Sequence, residues 1–194
     1  MPTKYALSYT AAGLRRVETQ TLAREHRSTP DWAELRRRAI DEDLLMIRQV
    51  SSRKRVSGEL IKRLRNLTPA ELEALASADD ARVAEALCWL AICRTYDFVA
   101  AFAVNVAGSR WHDGVTTLTD GVYEDFYAQQ SELHPELASI SDQTRARLRS
   151  QLFTIMREMG FLQKDGTLTA YQLPPAAAGL VCEADLALFP TAVA

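Results

Sequence analysis

Glycine and proline are scarce, with eight and seven among 194 residues. A fold of many short strands needs frequent turns, so this scarcity favours helices. Cysteine is scarcer still: Cys88, Cys93 and Cys182 cannot all pair, and none stands in a Cys-x-x-Cys. They read as reduced thiols of a cytosolic protein. The three histidines, His26, His112 and His134, form no i,i+4 pair and none neighbours a cysteine. A zinc site needs about three or four convergent ligands, so no metal and no other cofactor is expected. There is no Gly-x-Ser-x-Gly and no phosphate loop. The carboxylate pairs Asp79-Asp80 and Glu124-Asp125 sit at helix starts or on polar faces, where dipole and solvation account for them. The aromatics Trp89, Tyr96, Phe98 and Phe102 have helical spacing and read as core. Nothing at residue level points to an enzyme or a small-molecule substrate; polar residues converging in a closed pocket would revive that reading.

A membrane-spanning run is lacking too. The most apolar stretch, 86–106, contains Arg94, Asp97 and Asn105. A span needs roughly 20 predominantly apolar residues, and charges near its middle are costly. The N-terminus, MPTKYALSYT, has no apolar signal region. The expectation is a cytoplasmic protein with a buried central helix.

What is present is charge asymmetry. The net charge of −2 conceals a basic part, 1–66, at +7, an acidic part, 67–139, at −9, and a neutral remainder. Such asymmetry suggests an anionic partner for one part of the molecule.

Periodicity predicts helices throughout. A first runs over 9–26. Asp31 caps a second, from Trp32 to about Val50, with Arg36, Arg37 and Arg38 partly outside its apolar stripe. Ser52 offers a cap for a third, 53–66. Thr68-Pro69-Ala70-Glu71 opens a fourth with a Thr N-cap, Pro at N1 and Glu at N3. A long fifth runs from Asp79-Asp80 to about Arg110, apolar all round from Ala86 to Cys93, with Arg94 and Asp97 spaced to pair. Thr119-Asp120 opens a sixth, stopped by His134-Pro135. Ser141 caps a seventh, 142–159, ended by Gly160. Asp165-Gly166 between short apolar runs is a hairpin signal, and the Ala-rich tail reads as loose.

Two surfaces emerge. On the third helix, at 100° per residue, Val56, Leu60, Ile61, Leu64 and Leu67 form one face. Lys54, Arg55, Lys62 and Arg65 lie opposite, with Gly58 between them to permit close approach of a backbone. Arg53 and the Arg36-Arg37-Arg38 run extend the patch. Several long cations on one face suit phosphates, because affinity scales with phosphates neutralised, and two helices joined by a short break fit helix-turn-helix geometry. A solvated face on an ordinary helix fits the same residues equally well. The second surface is 142–171, a helix, a Gly stop and a hairpin, which is similar to the recognition helix and wing of a winged-helix unit. Arg147, Ser150, Gln151 and Thr154 face outward there. Gln, Ser and Thr suit base edges, and Arg suits phosphate or guanine. A polar helix face with a surface hairpin explains it as readily.

Four stretches taken in order carry a family resemblance: Tyr5-Ala-Leu-Ser-Tyr-Thr-Ala-Ala-Gly-Leu14, Ser51-Ser-Arg-Lys-Arg-Val56, Leu90-Ala-Ile-Cys-Arg-Thr-Tyr96, and Leu133-His-Pro-Glu-Leu137 with the helix after it. Over roughly 5–173 the chain resembles BrxA, the small core protein of bacteriophage exclusion (BREX) defence systems. The resemblance implies an all-α globular fold with two helix-turn-helix-like units. It also implies a link to DNA and to phage defence, and no catalytic residues to carry over. Likeness of the family fold to an RNA-binding antitermination factor keeps RNA open.

The resulting expectation is an all-α, multi-helix protein with a small C-terminal β-hairpin wing. Residues 1–78 form a basic helix-turn-helix-like region, and 79–194 a central buried helix followed by a winged-helix-like region. The expected function is non-enzymatic binding of double-stranded DNA in a BREX system, alongside other BREX proteins. The contacts expected are Arg36, Arg37, Arg53, Lys54, Arg55, Lys62, Arg65, Arg147 and Gln151. The rival readings are a protein-interaction module, with a basic face for an acidic partner and an acidic middle for a basic one, and RNA binding.

Overall fold

The caps written into the sequence set most helix starts. In the computed structural model, which describes residues 4–193, Asp31 accepts the Glu34 amide at 2.7 Å and opens α2, Trp32–Asp41, which follows α1, Arg16–His26. Thr68 and Glu71 form a reciprocal capping box with Pro69 at N1 of α4, Pro69–Ser77, beyond α3, Val50–Leu64. Such caps contribute about 1 kcal/mol each. After α5, Ala81–Thr95, comes a helical stretch built of α6, Asp97–Phe102, a π-helical turn, Ala103–Gly108, and α7, Ser109–His112. Thr119 and Ser141 cap α8, Asp120–Leu133, and α10, Asp142–Glu158, with the short α9, Pro135–Ala138, between them. Two further short helices, α11, Pro175–Ala178, and α12, Glu183–Leu186, complete an all-α fold.

The chain divides into two units. One comprises 14–95 with 174–180; the other comprises 1–13, 96–173 and 181–194. In the first, α1 packs on α2, α3, α4 and α5, and α5 also meets α3, α4 and α11. As its composition predicts, α5 is enclosed: Leu87, Trp89, Leu90 and Ile92 are fully buried, as are Leu22, Leu60, Leu64 and Leu75 on the helices packed around it. Each such side chain contributes about 1.5–3 kcal/mol relative to exposure. The 78/79 junction lies inside this unit, where α4 packs on α5.

In the second unit an aromatic cluster forms the core. Phe98 meets Phe126 edge to face at 5.2 Å and Phe102 meets Phe126 at 5.3 Å, with Tyr123, Tyr127 and Phe153 around them. The N-terminal segment is held there: the Tyr9 hydroxyl donates to the Leu148 carbonyl, and Tyr5 stacks on His134 at 3.8 Å. The expected hairpin is present as an antiparallel Leu162–Leu168 bridge closed by Gln163 and Thr167, and Thr117 pairs with Thr167 on its other side. Gly166 makes that turn possible. Its φ is +87°, and a β-carbon there would lie 2.7 Å from the Leu118 carbonyl oxygen.

Several boundaries differ from the periodicity. The first helix begins only at Arg16, because Gly13 and Arg15 take left-handed backbone after a 3-10 turn over Ser8–Ala11. The second ends at Asp41 rather than near Val50, because Asp43 and Met46 are left-handed and 42–49 is a turn. The third starts at Val50 with no side-chain cap, so Ser52 lies within it. The long fifth helix breaks at Tyr96, which is extended at φ −128°, ψ 92°. Thr95 Oγ1 there donates to the Ala91 carbonyl and accepts from Asn66. Arg94 forms a two-bonded pair with Glu71 at 2.6 and 2.8 Å, while Asp97 opens α6. The tail is packed rather than loose. Phe189 and Thr191 are buried, and Ala192–Val193 runs parallel to Tyr171–Gln172. Among the described residues no single helix is long and apolar enough to cross a membrane.

Candidate nucleic-acid interface

The wheel of α3 is realised. Val56, Leu60, Ile61, Leu64 and Leu67 are buried, and Lys54, Arg55, Lys62 and Arg65 are exposed. Eleven residues separate Lys54 from Arg65, about 16 Å along a helix. Among the described residues the side chains of Lys54, Arg55 and Arg65 have no hydrogen-bond or ion-pair partner. Lys62 lies 3.6 Å from Glu59, whose carboxylate is mostly buried. From α2, Arg36 lies across the same face: a β-carbon on Gly58 would sit 3.3 Å from Arg36 Nη2. The close approach that Gly58 permits is therefore made by this guanidinium.

The other expected cations are placed differently. Arg37 is held on its own helix by Glu34 at 2.9 Å and Asp41 at 3.4 Å. Arg38 bonds Glu42, Glu25 and the Thr29 hydroxyl. Arg53 is turned inward, its side chain 13% exposed. It donates to the carbonyls of Ile40 at 2.7 Å and Ile47 at 3.0 Å and pairs with Asp43 at 2.9 Å, so it closes the α2–α3 turn rather than joining the patch. That turn is eight residues, 42–49, longer than the 3–4 typical of helix-turn-helix motifs.

In the second unit α7 is followed by the 116–118 segment, α8, α9, α10 and a turn held by the Leu162–Leu168 and Thr117–Thr167 bridges. On α10, Leu148, Leu152, Ile155 and Met156 are buried, as is Met159 just beyond it. Arg147 and Ser150 are exposed, and Arg147 has no partner among the described residues. Thr154 donates back to the Ser150 carbonyl. Gln151 turns away from that surface: its amide lies against Gly13, 3.1 Å from where a β-carbon would be. At the tip of the turn Lys164 and Asp165 are exposed, and the amide of Thr167 holds the Asp165 carboxyl below its usual range.

Three features gave no earlier signal. Arg63 is 1% exposed despite standing in the basic run. Arg145 and Arg149 bind Glu124, and Arg149 also binds Asp120, which ties α10 to α8. A groove of about 670 Å³ lies between Asn105, Ser109 and His112 on one side and Leu186, Ala187, Phe189 and Pro190 on the other; His112 is its one titratable residue. Among the described residues no three His, Cys, Asp or Glu side chains gather as a metal site requires.

The family profile of BrxA matches residues 3–182. The chain belongs to the BrxA family. It is thereby a protein associated with BREX defence. No curated protein matches it. A crystal structure of an uncharacterized protein from Magnetospirillum magneticum shares the fold, with a TM-score of 0.83 at 16% identity over 97% of this chain and 98% of that one. The BrxA fold thus persists where few side chains are shared, so residue roles here rest on the geometry of this chain.

Proposed function

We propose that this BrxA-family member is a non-enzymatic DNA-binding component of its BREX system, acting in the cytoplasm with other BREX proteins. The observation that carries the reading is the row of unpartnered cations on α3. Lys54, Arg55 and Arg65 share one exposed face with Arg36 laid over Gly58, while Arg37, Arg38 and Arg53 nearby in sequence are each paired with carboxylates. Proteins neutralise lone surface cations cheaply with a neighbouring carboxylate; a row left bare suits a row of phosphates. Duplex DNA carries one charge per ~1.7 Å of axis, so ~16 Å of helix face meets several phosphates.

The second unit supplies the other contact. In this reading α8, the short α9 and α10 stand for the helices of a winged helix-turn-helix, with α10 in the recognition position and the bridged turn carrying Lys164 as the wing. Arg147 and Ser150 are the side chains offered to base edges or backbone.

The test is binding measured against salt for duplex DNA, single-stranded DNA and RNA. Duplex should bind best, and log K should fall with log salt by about 0.9 per phosphate contacted. Lys54→Glu with Arg55→Glu and Arg65→Glu should abolish binding. Unchanged affinity in that variant would remove the site, and tighter binding to RNA would change the ligand.

A further inference from the structure

The α2–α3 turn presents one apolar side chain in a costly way. Met46 is 91% exposed, the most exposed of the large hydrophobics, and it has left-handed backbone at φ +53°. That conformation costs roughly 1–2 kcal/mol for a residue with a β-carbon. Nothing in the fold demands methionine there, since its neighbour Leu45 supplies the buried anchor.

The turn is rigid. Arg53 ties the Ile40 and Ile47 carbonyls together and pairs with Asp43, and Asp43 in turn accepts the Ile47 amide at 2.8 Å. The Met46 amide closes onto the Asp43 carbonyl at 2.9 Å. A strained, exposed and well-anchored side chain points to function. Its surroundings select the partner. Asp41, Glu42 and Asp43 beside it each have an arginine partner, Arg37 (shared with Glu34), Arg38 (shared with Glu25) and Arg53. Arg48, two residues on, is exposed with no partner among the described residues, as are Lys54 and Arg55 on the helix that follows. An apolar tip with a bare cation two residues on and two more in the first turns of the next helix fits an apolar gap bordered by anions, which is the arrangement between two base pairs of a duplex.

We infer that Met46 is a wedge that enters between base pairs and kinks duplex DNA held by the α3 face. The inference rests on the DNA-binding reading above and adds a deformation to it. Energy for opening the step comes from phosphate contacts on both sides of the wedge, and flexible pyrimidine–purine steps are the favoured sites.

The experiment uses the full chain and a duplex labelled at both ends, with bending read by energy transfer and affinity by titration. The wild-type protein should bend the duplex by roughly 20–90°. Met46→Gln should lose the bend and keep affinity for straight duplex within about threefold, since the phosphate contacts remain. Met46→Leu should bend as wild type does. Met46→Gly, which relieves the backbone, should melt no lower than wild type and still fail to bend. A Met46→Gln protein that bends DNA normally overturns the wedge, as does wild-type binding without any bend. If that variant bends normally but loses an acidic protein partner, the knob belongs to a protein interface and the inference falls. Absence of duplex binding by the wild type overturns the underlying function as well, and so is distinguishable.

Discussion

Arg36 lies across Gly58, its guanidinium 3.3 Å from where a β-carbon would stand. The flexible end of an arginine gives way easily, and alanine is a better helix residue than glycine by about 0.5–1 kcal/mol. Gly58→Ala should therefore raise the melting temperature slightly while lifting Arg36 off α3. Duplex affinity should fall a few-fold. Calorimetry and a binding titration on one preparation read both effects.

Arg53 and Lys54 are adjacent and should behave oppositely. Arg53→Ala strands the carbonyls of Ile40 and Ile47 and the carboxylate of Asp43, at a cost of about 2–3 kcal/mol in urea unfolding. Lys54→Ala should leave stability within about 0.5 kcal/mol and reduce the salt slope of DNA binding by about 1. Equal stability losses would contradict the placement of Arg53.

Gly166→Ala combines φ +87° with a clash of 2.7 Å against backbone that cannot rotate away. A loss of at least ~2 kcal/mol is expected, with the hairpin amides of Gln163 and Leu168 exchanging faster in hydrogen exchange than those of α5.

Glu71 is 1% exposed. Burial raises its carboxyl, but the hydrogen bonds from Arg94 and from the Thr68 amide outweigh it and hold the folded value below the ordinary 4.5. A depressed folded pKa adds stability that is present above the unfolded value and lost as pH falls through the folded one. Wild type should thus lose stability on acidification below pH 4.5, and Glu71→Gln should flatten that part of the curve. At neutral pH the variant should be less stable by about 3 kcal/mol, since Arg94 is left partly buried and unpaired. Urea titrations across the pH range decide it.

The thiols should differ sharply. Burial pushes the Cys88 thiol up to about 12, against a hydrogen bond with Thr19 and the charge of Arg63. Cys93 is buried as well, and Cys182 is exposed. Iodoacetamide at pH 8 should label Cys182 alone in the folded protein and all three in denaturant, as read by mass spectrometry.

Local chemistry was legible in the sequence. Asp31, the Thr68-Pro69-Glu71 box, Ser141 and Gly160 act within one turn of themselves, so their spacing sufficed. The family, too, was readable from four ordered stretches. The Tyr96 break was not. A helix apolar all round has no face whose end would show, and Tyr96, fully buried, carries no local signal of its extended backbone. The left-handed Asp43 and Met46 were equally hidden, since neither is the glycine that announces such a backbone. Among the candidate site residues, α3 was readable because an amphipathic wheel separates its faces. Arg53 was misplaced although that wheel sets it among Val56, Leu60 and Leu64. Its charge suggested the surface, and only the carbonyls of a turn eight residues long explain its burial. Gln151 faced outward by periodicity, yet its amide lies in the space that Gly13, distant in sequence, leaves open.

The N-terminal segment sets an order of events during synthesis. Tyr5 and Tyr9 are synthesised well before their partners Gln130, Glu136 and Leu148, which lie 125, 131 and 139 positions downstream. The unit they belong to is also interrupted by 14–95. Nascent chains that have not yet reached Leu148 must therefore carry these tyrosines without all their partners, while 14–95 already has its principal helices. A premature stop or a short truncation after α8 would strip Tyr5 of His134 and Glu136 and Tyr9 of Leu148, and hand chaperones and proteases a loosened aromatic segment.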